Sequence, residues 1–189
     1  MKIDKLPFSS ILIEMFSVVC AVLLALGVNE WKNNNSNEEL GLEAYKKITK
    51  EVEGNKRKIS NILENHNNIL ANLDSVISHL RQKRDDITFG QIMFETPSAT
   101  AWEAAKLTSA VNYLKYDRIE KITGVYSTQK IYSDVSDRIF QELIFFVPEK
   151  NREKMIDQLL RQKIYLLNLI SIEKQLLEEY NSFLNQTKF

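Results

Sequence analysis

Cysteine, histidine, proline and glycine are all scarce in this chain. A single cysteine, Cys20, in 189 residues leaves no internal disulfide and no thiolate metal site. The two histidines, His66 and His79, lie thirteen residues apart without thiolate or carboxylate ligand spacing, which excludes a zinc centre. Five glycines and three prolines supply little material for tight turns, so a many-stranded sandwich or barrel is excluded and long helices are favoured. Neither sign of charge is in excess, because 25 Lys and Arg balance 25 Asp and Glu. That balance argues against a general nucleic-acid binder, whose groove needs surplus cations. Phosphate loops, dinucleotide glycine fingerprints, nucleophile elbows and metal-binding helix motifs are all missing. No enzymatic activity and no cofactor is expected. Carboxylate pairs such as Asp85-Asp86 and Glu178-Glu179 sit in polar surroundings and read as solvated faces.

What is present is one long apolar run. Phe8 to Val28 holds 21 residues with a single charge, enough helix to span about 30 Å of hydrocarbon. A cleaved signal peptide and the buried helix of a soluble fold compete with a retained membrane helix. The run is long for a signal, and Asn29-Glu30-Trp31-Lys32 lacks a small-x-small cleavage site. Trp31 and Lys32 suit an interfacial anchor instead, an amphipathic ring beside a snorkelling amine. Membrane lipid is therefore an expected partner. Lys2, Lys5 and the terminal amine precede the run and only Lys32 closely follows it, so the charge rule leans to an N-terminus inside.

Within the run, Ser10, Glu14, Ser17, Ala21 and Ala25 fall inside an arc of roughly 80° on a helix. Small residues at this spacing let two backbones approach closely in lipid, which marks a self-associating face. Glu14 has two readings. It faces a partner helix or water-filled space, as intramembrane carboxylates do, or it snorkels to the nearby headgroups.

After a polar stretch, Asn33 to Asn37, Ser36 and Glu39 form a candidate capping box for a new helix. The stretch is then either a hinge or the polar part of one continuous helix. From Tyr45 the apolar positions step by three and four. Tyr45, Val52, Ile59, His66, Leu73 and Leu80 form one column, and Ile48, Asn55, Ile62, Ile69 and Val76 the other. This heptad pattern reads as a coiled-coil seam, widened distally by Leu63, Leu70 and Ile77 into a bundle face. Asn55 and His66 are its polar members. They fix register, or they are partly exposed positions bonded to water, and His66 is also a candidate pH switch.

Residues 84–95 read as a loop or short extended segment. A second helix opens at Thr96-Pro97 or at the Thr100/Glu103 capping pair and runs to Leu114. Asp117 with Glu120 caps a third helix, ended by Pro148, and a fourth covers roughly Asn151 to Asn185. The expected fold is all-α. It comprises a tail (1–7), a transmembrane helix (8–28), a polar break (29–37), a heptad-patterned long helix (38–84) and a helical domain (85–189) packed on its distal part.

Two stretches carry a resemblance. ALGVNEW, residues 25 to 31, resembles the membrane-helix end "ALG-x-N-x-W" of uncharacterised bacterial single-span proteins. ATAWEAAKLTSAVNYLKYDRIEKITGVYS, residues 99 to 127, is similar to a second signature of theirs, with Trp102, Ala110, Asp117 and Tyr126 in the matching places. The resemblance implies the bacterial inner membrane, one span and a small helical domain, and it carries no activity. A membrane-anchored, self-associating binding protein is the first functional expectation. The alternative is an antiviral effector similar in architecture to the membrane effectors of type III CRISPR systems, gated by a cyclic oligonucleotide. Such a small anionic second messenger would need basic side chains, for which Lys56, Arg57, Arg81, Arg84, Lys115 and Arg118 are the candidates. Each is also an ordinary solvated position, and Trp102 and Tyr126 read as core residues.

Overall fold

A computed structural model describes residues 8–84, 90–144, 147 and 149–185, with the side chains of 8–14 and 144 outside that description. Four α-helices account for nearly all of it, and the described residues contain no strand. The all-α expectation holds. Helix α1 covers Phe8–Arg81, α2 Thr100–Leu107, α3 Tyr116–Ile144 and α4 Arg152–Asn185, with a short 3-10 turn at Ala110–Tyr113.

The polar stretch at 33–37 does not interrupt α1, which continues for 74 residues. Ser36 and Glu39 therefore start no helix. Asparagine costs at most about 0.7 kcal/mol per residue in a helix interior, and extending an existing helix needs no new nucleus. With helix on both sides and no proline between, propagation wins over a local capping signal.

Paired contacts define the topology. Beyond residues 85–89 the chain returns along α1 as an extended strap, residues 90–99, with Gln91 beside Asn65 and Ser98 beside Asn55. The 3-10 turn then lies against Gly41, where an added Cβ would stand 2.9 Å from the Tyr113 carbonyl oxygen. Only glycine admits so close a backbone. Next, α3 climbs parallel to α1, since Arg118 lies over Tyr45, Tyr126 meets Glu51 and Gln129 meets Asn55. Finally α4 descends antiparallel, pairing Lys163 with Asp74, Glu173 with His66 and Phe183 with Tyr45.

This arrangement fills the heptad seam from within the chain. All eleven seam positions are buried, including Val52, Ile59 and His66 at 0% exposure. The coiled-coil reading of Val52, Asn55, Ile59, Ile62 and His66 is corrected accordingly. They are the core of an intramolecular bundle, because α3, α4 and the strap occupy the face a second coiled-coil strand would need. A wide apolar face at three-four spacing serves either arrangement equally well.

Helix α2 is also shorter than expected. Pro97 and Ser98 stay outside it because the Ser98 N–H and carbonyl bond to Asn55 at 2.9 and 2.7 Å. The helix begins at Thr100 without a side-chain cap from Ala99, so Thr100 and Glu103 form no capping box. Instead the Ala101 N–H donates to the Glu51 carboxylate at 3.0 Å, an acid from α1 placed at a positive helix end. The helix stops where Ser109 turns left-handed at φ 57°. Asn151 caps α4, accepting from the Lys154 N–H at 3.2 Å. Pro148 lies outside the described residues.

Candidate functional site

The N-terminal end of α1 stands clear of the bundle. It contains the one apolar window among the described residues that is long enough to cross a bilayer, and none of that window is buried. Leu24 is 70% exposed, Phe16 71% and Trp31 70%. Ser17, Ala21 and Ala25 are exposed along the small-residue arc, Cys20 is half-buried and Lys32 is exposed. The side chains of Ser10 and Glu14 lie outside the described residues.

At the other end of α1, a polar network ties the strap to the bundle. The strap pairs with no strand, so its backbone groups need side-chain partners. Asn65 accepts from the Met93 N–H at 3.0 Å and donates to the Gln91 carbonyl at 3.2 Å. Asn55, 2% exposed, grips both backbone groups of Ser98 and donates to Gln129 Oε1 at 3.1 Å. The Gln129 amide donates to the Ser98 carbonyl at 2.9 Å, while its Oε1 accepts from the Tyr180 hydroxyl at 2.8 Å. Glu51 accepts from the Tyr126 and Ser98 hydroxyls, both at 2.6 Å.

His66 is not the partly exposed, water-bonded position that its polarity suggested. It is fully buried, and both ring nitrogens are engaged: Nδ1 with Glu173 Oε1 at 2.7 Å and Nε2 with the Met93 carbonyl at 2.8 Å. Glu173 is equally buried, and burial pushes its carboxyl above the ordinary range while the His66 bond pulls it back.

The chemistry of this network is holding rather than reacting. Burial, with the Glu51 bond, drives the Tyr126 phenol far above its ordinary range; burial does the same to Tyr132 and Tyr180. Such phenols stay protonated donors and cannot act as bases. Among the described residues no group of His, Cys, Asp and Glu is placed to hold a metal ion. Trp102 and Tyr126 stack at 5.8 Å and 12°, both nearly buried, and Lys106 lies over the indole at 5.5 Å. They are core residues edging an open hollow of about 420 Å³ between α2 and α3.

The basic candidates do not converge. Arg118 packs over the Tyr45 ring at 4.3 Å, at the low end of the bundle. Arg57 is about 18 Å farther along α1 and Arg81 about 36 Å beyond that, at 1.5 Å per residue. Lys56 is half-buried, while Arg57, Arg81, Arg84 and Lys115 are exposed.

Glu51, Asn65, Gln129, Tyr132 and Glu173 went unmarked in the sequence. For Gln129 and Glu173 a signal was present: each sits on its helix's apolar stripe, as His66 does. Gln129 follows Ile122 and Val125, and Glu173 lies between Leu169 and Leu176. No family model, curated protein or solved structure matches the chain.

Proposed function

We propose that this chain is a non-enzymatic, single-pass protein of the bacterial inner membrane. It associates with itself along the Ser10, Glu14, Ser17, Ala21 and Ala25 face and binds a partner through its soluble helical domain. The observation that carries this reading is the unbroken run of α1 from an exposed apolar segment into the bundle core. A helix continuous across both regions delivers a displacement or rotation at one end to the other. The intramolecular seam leaves the small-residue arc as the surface for self-association. Dispersed basic side chains favour a macromolecular partner over a small anionic messenger.

The test uses the full chain in native membranes. The protein should resist carbonate extraction, and chemical crosslinking should give a ladder that Ala21→Leu weakens severalfold while Leu23→Ala, on the opposite side of the helix, leaves it intact. Recovery of the chain in the soluble fraction overturns the anchor. Identical ladders for wild type, Ala21→Leu and Glu14→Gln overturn the helix interface.

A further inference from the structure

We propose that His66, Glu173 and the Met93 carbonyl form a one-proton latch, which fastens the strap to the bundle and loosens on the alkaline side of neutrality. Three elements meet there, with His66 on α1, Glu173 on α4 and Met93 on the strap.

Donor and acceptor chemistry fixes the proton count. A carbonyl only accepts, so His66 Nε2 must carry hydrogen toward Met93. Nδ1 and Glu173 Oε1 are then 2.7 Å apart and need one proton between them. Imidazolium with carboxylate and imidazole with carboxylic acid both satisfy this, and each holds the same single proton. Removing it sets two lone pairs face to face and strands a carboxylate at zero exposure. Its second oxygen, Oε2, has no hydrogen-bond partner among the described residues to share that charge. Adding a second proton leaves a buried imidazolium beside a neutral acid. Both departures are costly away from water.

The surroundings offer no relief. From α3, Tyr132 faces Glu173 with a phenol that burial and the Glu173 charge keep protonated, and Glu95 of the strap and Asp137 act on Tyr132 as further acids. The strap contributes the Phe94 ring, 5.8 Å from the imidazole. The charge acting on Glu173 is that of His66.

Linkage then sets the pH window. In the unfolded chain an ordinary glutamate ionises near pH 4.5 and an ordinary histidine near about 6.5. Between these the unfolded pair also holds one proton, so stability is flat. Above about pH 6.5 the unfolded pair releases its proton while the folded pair keeps it, and the folding constant falls about tenfold per pH unit.

Glu173→Gln separates this latch from every other titrating group. A glutamine amide can donate to Nδ1 and keep both bonds, with the imidazole locked neutral. Full-length protein in detergent micelles would be unfolded by urea between pH 5 and 8.5, with strap hydrogen exchange followed in parallel. Wild type should hold steady up to about pH 6.5 and then weaken, whereas Glu173→Gln should weaken below about 6.5 and hold steady above it. The ratio of their folding constants should shrink about tenfold per pH unit across the range. Parallel profiles overturn the latch. If the variant does not fold, ring-nitrogen NMR of the wild type decides. A proton shared between His66 and Glu173 that persists well above about pH 6.5 supports the latch, and its loss near that pH or a neutral His66 protonated only at Nδ1 overturns it.

Discussion

The two halves of α1 share one backbone and opposite surroundings. Residues 15–28 present large apolar side chains outward and exposed, whereas from Tyr45 to Leu80 the apolar columns are sealed under three other elements. The first half is apolar on nearly every side. The second is apolar on one face and polar on the other. The difference shows that helix continuity and helix environment are separate properties, the first set by the lack of a breaker and the second by which sides are apolar.

The sharpest way to break this comparison is to charge the sealed half. Ile59→Asp with Ile62→Asp places two carboxylates at 0% and 1% exposure within the apolar core. Each uncompensated buried charge costs about 3–5 kcal/mol, enough to unfold a domain of ordinary stability. Circular dichroism of the full chain in micelles should lose the bundle's cooperative melt while carbonate resistance persists. A folded bundle with dissociated oligomers would return the seam to a coiled coil.

A smaller effect tests why a polar residue occupies an apolar column. Asn55→Ala strips partners from the Ser98 N–H, the Ser98 carbonyl and Gln129. Some of these retain other bonds, so the expected loss is about 2–3 kcal/mol, the cost of leaving buried polar groups unpaired. Urea unfolding would measure it, and hydrogen exchange should rise first in the strap. An unchanged midpoint would show that the strap is not held there.

The smallest effect lies where α1 ends. Lys83 takes a left-handed φ of 61°, with its N–H donating to the Leu80 carbonyl and the Arg84 N–H to the His79 carbonyl. This two-bond cap favours glycine at the turning position. Lys83→Gly should raise stability by up to about 1 kcal/mol, read as a modest upward shift in melting temperature. A loss would mean that the lysine side chain contributes more than the strained backbone costs.

The long apolar segment and the faces of the long helices were legible in the residues because hydropathy and three-four periodicity are local properties. Whether the heptad face meets another chain or its own was not, since Ile59 and Ile62 look the same in both settings. Asn55 and His66 stood out as polar residues in an apolar column, yet their partners lie 27 to 107 positions away. Nothing near position 55 announces Ser98, and nothing near 66 announces Glu173. Capping signals failed where tertiary partners replaced them, as Glu51 does at the start of α2.

The unbroken course of α1 has an angular consequence. At about 100° per residue, Ile48 follows Ala21 by 27 positions, which returns it to about 180° from Ala21 around the axis. Asn55, Ile59 and His66 fall within about 20° of the same opposite direction. The face suited to close helix contact and the face that collects α3, α4 and the strap therefore point away from each other. Two copies joined along the first would stand back to back around a central pair of α1 helices, each carrying its strap and polar network on the outside. With no loop to reset the phase, a twist of that central pair would turn both outer faces by the same angle.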